Sequence, residues 1–168
     1  MGNLAMVRCD HRLVHGQVGG QWLKRLATNK IVILCDEVAE DPFMKEMFEV
    51  SAPAGVKFEC YKVDEGVDRW KMDQFGPGNI IVLFKYTIDA INAYNKGFNF
   101  GKLNIGQSSS GVDKDGNPRK LVLRAIYLSS IEAAGLRELD RAGVVIYSQG
   151  APHEDPLNVI SKLAQAGL

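Results

Sequence analysis

Two five-residue runs constrain this fold more than any other feature. Ile31–Cys35 reads Ile-Val-Ile-Leu-Cys, and Ile80–Phe84 reads Ile-Ile-Val-Leu-Phe. Each has the length of one strand and is apolar at every position. A strand of that kind is buried on both faces, which is the condition of a parallel sheet covered by helices on each side. An antiparallel sheet with one wet face would alternate polar and apolar residues instead.

Between such runs the apolar spacing becomes helical. After a first strand candidate at Leu4–Val7, residues Val18, Trp22, Leu23 and Leu26 share one helix face. Glu40–Val50 predicts a second helix. Asp41 is its N-cap, Pro42 takes the first helical position, and Phe43, Met44, Met47, Phe48 and Val50 are available for a core face. Val56–Val63 reads as a strand, Asp64–Phe75 as a helix and Thr87–Tyr94 as a helix capped by Thr87. Lys102–Ile105 is a short strand. A polar, turn-rich stretch runs from Ser108 to Pro118, and Leu121–Leu123 is again strand-like. Ser129 and Glu132 have the spacing of a capping box that opens a helix to Arg141. Gly143–Tyr147 is a strand, and Asp155-Pro156 starts a final helix.

Strand and helix therefore alternate along the chain. That order predicts an α/β fold with a mostly parallel central sheet, helices on both faces and room for one antiparallel edge strand. No repeat or linker divides it, so residues 1–168 are read as one domain. The 20 basic residues balance the 20 acidic ones. Without net positive charge there is no general electrostatic case for nucleic acid or an anionic membrane. No long apolar leader segment and no membrane-length apolar run is present. The three cysteines, Cys9, Cys35 and Cys60, lack metal-ligand spacing and suit a reducing cytoplasm.

Ligands of such folds gather at the carboxyl ends of strands. There stands Arg8-Cys-Asp-His-Arg-Leu-Val-His-Gly-Gln-Val18, with two of the chain's three histidines. His11 and His15 are four apart, but a zinc helix motif needs Glu after the first histidine and a third ligand. Residue 12 is arginine, and the neighbouring arginines repel a cation, so no metal is expected. Gly16, Gly19 and Gly20 match neither the dinucleotide fingerprint nor the Walker loop, and no cofactor is expected. A phosphate site is consistent with the stretch. A helix starting near Gly16-Gln17 would aim free N–H groups at the loop. Arg8 and Arg12 bind oxygens bidentately, and Gly16 admits close backbone approach. His15 beside that nest would be a nucleophile accepting a phosphoryl group. The bland reading, a structural histidine among surface arginines, stays open at this point.

The same residues resemble a family signature. Arg8, Asp10, Arg12, Leu13, His15, Gly16, Gln17 and Val18 match the pattern R-x-D-x-R-L-[IV]-H-G-Q-V. That pattern is typical of mannose/fructose/sorbose-type IIB components of the bacterial phosphoenolpyruvate-dependent sugar phosphotransferase system. The resemblance extends through Cys35–Phe43, Ser51–Glu59 and Leu103–Gly106. It implies that His15 accepts a phosphoryl group from a phospho-IIA partner, on Nδ1. It implies transfer to a sugar brought in by IIC and IID membrane proteins, with the chain cytoplasmic and peripheral to that permease. By the same resemblance Arg12 is the first choice to hold phosphate oxygens. Arg8 is the second, with a structural role as its alternative, and Asp10 orients Arg12 or the imidazole.

Departures from the pattern mark what is open. His11 stands where relatives carry small or acidic residues, and is expected to be exposed. After Gly106, relatives place another small residue and a Met-His pair, where this chain has Gln107 and Ser108–Ser110. A mobile loop is the favoured reading of that stretch, with serine donors to phosphate as its rival. His153 reads as a solvated loop residue, Cys9 as an incidental thiol, and Trp22 and Trp70 as core. The segment Gly16–Leu23 is more similar to the N-acetylgalactosamine branch than to the mannose branch. The rival function is a regulatory or binding module of the same fold without transfer activity. Oligomeric state is not legible.

Overall fold

The structure is a computed structural model describing residues 1–168. Its centre is a seven-stranded sheet in the order β3-β2-β4-β1-β5-β8-β9. The strands are β1 (Gly2–Asp10), β2 (Lys30–Leu34), β3 (Lys57–Tyr61), β4 (Gly78–Phe84), β5 (Lys102–Gln107), β8 (Val145–Ser148) and β9 (Leu157–Asn158). All pairs are parallel except β8 with β9, so the antiparallel edge strand is present. β6 (Arg119–Leu123) and β7 (Ile126–Ser129) form a separate antiparallel hairpin.

Helices cover both faces. A π-helical turn (Gln17–Trp22) running into α1 (Leu23–Arg25), with α2 (Asp36–Glu40) and α3 (Pro42–Ser51), covers one face. Their core includes Val18, Trp22, Val38 and Phe48 against Ile31, Ile33, Ile81 and Leu83. α4 (Val63–Asp73), α5 (Thr87–Asn95), α6 (Ser130–Arg141) and α7 (Ile160–Leu163) cover the other, around Phe75, Phe84, Phe98 and Leu136. The two all-apolar runs lie side by side as β2 and β4, buried throughout, as parallel strands between helix layers must be.

Local signals explain several boundaries. Asp41 Oδ1 accepts from the N–H groups of Phe43 and Met44, at 3.0 and 3.2 Å, ahead of Pro42. A cap of this kind is worth about 1 kcal/mol. The Ser129–Glu132 capping box is formed in both directions. Glu132, fully buried, also takes a bidentate ion pair from Arg119 at 2.7 and 3.0 Å. That pair fastens the β6–β7 hairpin to α6.

Other expectations are corrected. β1 runs three residues beyond Val7, because the charged Arg8 and Asp10 are paired with each other inside the sheet. The helix expected from Asp155-Pro156 starts at Ile160 instead. Leu157 and Asn158 are spent on pairing with Ser148 and Tyr147, and Asn158 Oδ1 accepts from Ser161 N–H in place of Asp155. α5 begins at Thr87 itself, whose buried hydroxyl caps nothing. On α3 only Phe48 is buried, while Phe43 and Val50 are 74% and 79% exposed. Val18, Trp22, Leu23 and Val38 already cover the sheet there.

The chain leaves β1 toward β2 on one side, and leaves β5 toward β8 on the other. Neighbouring strands whose connections depart in opposite directions open a crevice at their carboxyl ends. That crevice lies between β1 and β5, where the arginine- and histidine-rich loop begins.

Candidate functional site

Asp10 ends β1, and the chain then turns sharply. Leu13 N–H donates to the Asp10 carbonyl at 2.9 Å, and His11 N–H to the Gln107 carbonyl on β5 at 3.1 Å. Leu13 takes a left-handed conformation at φ 56° with its side chain buried in the core. The turn thus sends Arg12 and His15 to one side and an apolar anchor to the other.

The Asp10 carboxylate gathers the site. Arg12 donates to it from its backbone N–H, from Nε and from Nη2, at 3.0–3.1 Å. Arg8 Nη2 donates to Oδ2 from below at 2.9 Å. Burial would raise the carboxyl pKa, but the Arg12 hydrogen bonds and the Arg8 charge outweigh it and hold the group below its ordinary value. Arg12 Nη2 also reaches Gln17 Oε1 at 3.0 Å, which leaves Nη1 free of protein partners.

His15 is half-buried beside this cluster. Its Nδ1 lies 2.8 Å from the Leu13 carbonyl, and a carbonyl only accepts, so Nδ1 carries the hydrogen. Nε2 faces Gln17 Oε1 at 3.5 Å and Asp10 Oδ2 at 3.6 Å. Cationic charge around the imidazole is therefore offset by the Asp10 carboxylate between the arginines. Gly16 is exposed with open space where a Cβ would sit, and its helical backbone does not require glycine.

Arg8 is not at the surface of this site. It is fully buried, and it donates to Asn104 Oδ1, to the Gln149 and Gly150 carbonyls and to Asp10. Its guanidinium also lies 5.9 Å from the centre of the Trp22 ring. Both terminal nitrogens are taken and the unpartnered Nε is buried out of reach, so Arg8 serves the structural alternative. Gly106 makes room for it: a Cβ there would sit 2.0 Å from Arg8 Nη2.

A polar cavity of about 380 Å³ opens beside the cluster, lined by Arg12, Gln17, Gln107, Gln149 and Glu154 among others. Arg124, on the turn of the β6–β7 hairpin, also lines it. Sequence reasoning missed Arg124 because its hairpin reaches the site only in three dimensions. The Ser108–Ser110 stretch is hydrogen-bonded to that hairpin. Ser108 Oγ donates to the Tyr127 carbonyl at 2.6 Å, and Ser109 Oγ accepts from Arg119 at 3.0 Å. These bonds tie Ser108 and Ser109 to the hairpin where a mobile loop was expected, but none of the three serines lines the cavity beside the cluster.

The remaining candidates lie apart. His153 is exposed. His11 is half-buried instead of fully exposed, and lines a separate hollow with Ser108–Ser110. Cys9 points into the opposite core, where burial pushes its thiol far above the ordinary value. Trp22 is buried, with its indole N–H on the Gly150 carbonyl at 2.9 Å, and Trp70 packs against Phe75 and Phe98. No group of three or more His, Cys, Asp or Glu side chains converges as a metal site would require.

A seven-stranded, mainly parallel sheet with an Arg-Asp-His cluster at its switch point defines an α/β protein with a candidate site at the carboxyl ends of its strands. Over residues 4–168 the chain matches the family model "PTS system sorbose subfamily IIB component", and it belongs to that family. It is 26% identical over 166 residues to the N-acetylgalactosamine-specific phosphotransferase enzyme IIB component 2 of Escherichia coli K12, covering 97% of this chain and all of that one. The IIBSor domain of the sorbose permease from Klebsiella pneumoniae superposes with a TM-score of 0.86 at 25% identity, covering 97% of each chain. ManxB from Thermoanaerobacter tengcongensis gives 0.84 at 30% identity, covering 98% of this chain and 96% of that one.

Proposed function

We propose that this chain accepts a phosphoryl group on His15 from a phosphorylated IIA protein and passes it to a sugar carried by IIC and IID membrane components. The observation that carries the reading is the junction of Asp10, Arg12, His15 and Gln17 in one hydrogen-bonded cluster at the switch-point crevice. An imidazole lone pair attacks phosphorus while the donor's P–N bond breaks and its nitrogen keeps the electron pair. Little covalent chemistry is left to the protein, so positioning and charge stabilisation carry the rate.

Arg12 is held rigid by Asp10 and offers its free Nη1 to phosphoryl oxygens. Gln17 sits between Arg12 and the imidazole, and the open space at Gly16 admits the phosphoryl group to the start of the helical turn. Arg8 and Asp10 support these residues from beneath. Acceptance at Nδ1, the atom implied by the family resemblance, requires the ring to leave the Leu13 carbonyl, at a cost of about 1 kcal/mol, and the proton to move from Nδ1 to Nε2 so that Nδ1 holds the lone pair. The resting contact instead presents Nε2 to the cluster.

Binding partners follow from this reading: IIA as donor, IIC and IID as the membrane site of transfer, and a cytoplasmic face for the exchange. No helix of the chain is long and apolar enough to cross a membrane. An amino sugar such as N-acetylgalactosamine is the favoured substrate, on the branch resemblance of Gly16–Leu23 and the name of the Escherichia coli relative. The test is sugar phosphate formation by permease-containing membranes supplied with phosphoenolpyruvate, the general phosphotransferase proteins and IIA. Product should appear only when this chain is added, and His15→Ala should abolish it. Equal product with His15→Ala refutes the assignment.

A further inference from the structure

Arg124 is exposed, and no carboxylate lies within ion-pair reach of it. It is nonetheless held in place. It occupies the two-residue turn Arg124-Ala125 between β6 and β7, with Ala125 in the left-handed region at φ 62°. Ser108 N–H donates to the Ala125 carbonyl at 3.0 Å, and Tyr127 N–H to Ser108 Oγ at 2.7 Å. The Arg119–Glu132 pair anchors the base of the same hairpin. A guanidinium without an ion-pair partner, on a fixed turn, lines the same cavity as Arg12.

Charge and donor counts point the same way. Arg8 and Arg12 with Asp10 between them leave one positive charge in the cluster. A phosphoryl group carries roughly two negative charges near neutral pH. Arg12 has spent Nε and Nη2 on Asp10 and Gln17, so its free Nη1 cannot serve three phosphoryl oxygens. Arg124 supplies the missing charge and a bidentate fork. The rest of the cavity is not an anion site. Glu154 and Asp155 repel anions, while Gln107 can donate and accept and Gln149, its amide N–H on the Glu154 carbonyl, accepts. Carboxylates and amides lining the same cavity suit a ligand rich in hydroxyls.

We infer that Arg124 is a second phosphoryl-binding residue of this site, and that the cavity between Arg12 and Arg124 receives a sugar phosphate monoester. The phosphoryl group lies between the two guanidiniums, and the sugar hydroxyls satisfy Glu154, Asp155, Gln107 and Gln149. This inference rests on the phosphoryl-carrier reading of the site and adds a direct contact between this chain and the sugar product.

The experiment is calorimetric titration of the unphosphorylated chain with inorganic phosphate and with the 6-phosphates of glucose, mannose and N-acetylgalactosamine. At least one ester should bind more tightly than inorganic phosphate, because its hydroxyls offset the carboxylates. Arg124→Gln should weaken that ester by roughly tenfold to a hundredfold, the usual loss of a charge-assisted contact. Arg124→Lys should recover part of it. Arg25→Gln, which removes an exposed arginine on α1, should change nothing. Unchanged binding in Arg124→Gln, or esters that bind no better than inorganic phosphate, overturns the inference. The titration needs no phosphohistidine, so it fails independently of the carrier reading. That reading fails instead when the wild-type chain takes no label from an active phospho-IIA.

Discussion

The Asp10 carboxylate accepts from Arg8 on one side and from Arg12 on the other while itself wholly buried. Its folded pKa lies below the ordinary 3.8. A depressed carboxylate contributes stability that is fully present above the unfolded value and is lost as pH falls through the folded one. The carboxyl carbon of Asp10 should therefore titrate with a midpoint below 3.8 by NMR, and the urea midpoint of the chain should fall with it. A midpoint at or above 3.8 contradicts the arrangement. Gly106 is constrained just as closely. Ala at this position drives a methyl group into the buried Arg8 guanidinium, and overpacking of that kind costs about 1–3 kcal/mol. Urea unfolding of Gly106→Ala should show that loss, and His15 should lose reactivity with it as Arg8 shifts beneath Asp10.

At the scale of elements, local signals were read well where the chemistry is local. Asp41-Pro42 and the Ser129–Glu132 box set helix starts through bonds spanning two or three residues. Burial is not local. Phe43, Met47 and Val50 have core-like spacing, but the sheet surface they would cover is occupied by residues of other elements, Val18, Trp22, Leu23 and Val38. Phe43→Ser should thus cost under about 0.5 kcal/mol, as at a surface site, where a core phenylalanine would cost about 3–5. Thermal unfolding separates the two. Charged residues misled in the opposite sense. Arg8 and Asp10 read as loop because they are polar, yet their mutual pairing carries β1 through them. Glu132 shows what such buried pairs hold together. Glu132→Gln removes one partner of the fully buried Arg119 pair and should destabilise the chain by about 3–5 kcal/mol. It should also loosen the β6–β7 hairpin, seen as faster amide exchange at Tyr127.

Across the whole molecule, the sheet order puts the end of β1 beside the end of β5, and the β6–β7 hairpin and the β8–β9 connection close around them. Half of the site was legible because Asp10, Arg12, His15 and Gln17 fall within eight consecutive residues and follow a strand. The other half was not. Arg124, Gln149 and Glu154 come from elements more than a hundred positions away, and no spacing rule links them to the loop. The central claim is that this assembly makes His15 a phosphoryl acceptor. The most direct test is the intact mass of the chain after incubation with phosphoenolpyruvate, the general phosphotransferase proteins and IIA, run on wild type, His15→Ala, His11→Ala and Cys9→Ala. The account predicts one acid-labile phosphoryl group in every chain except His15→Ala. A group retained in His15→Ala and lost in one of the others, or no group in wild type with a IIA proven active on another IIB, contradicts it.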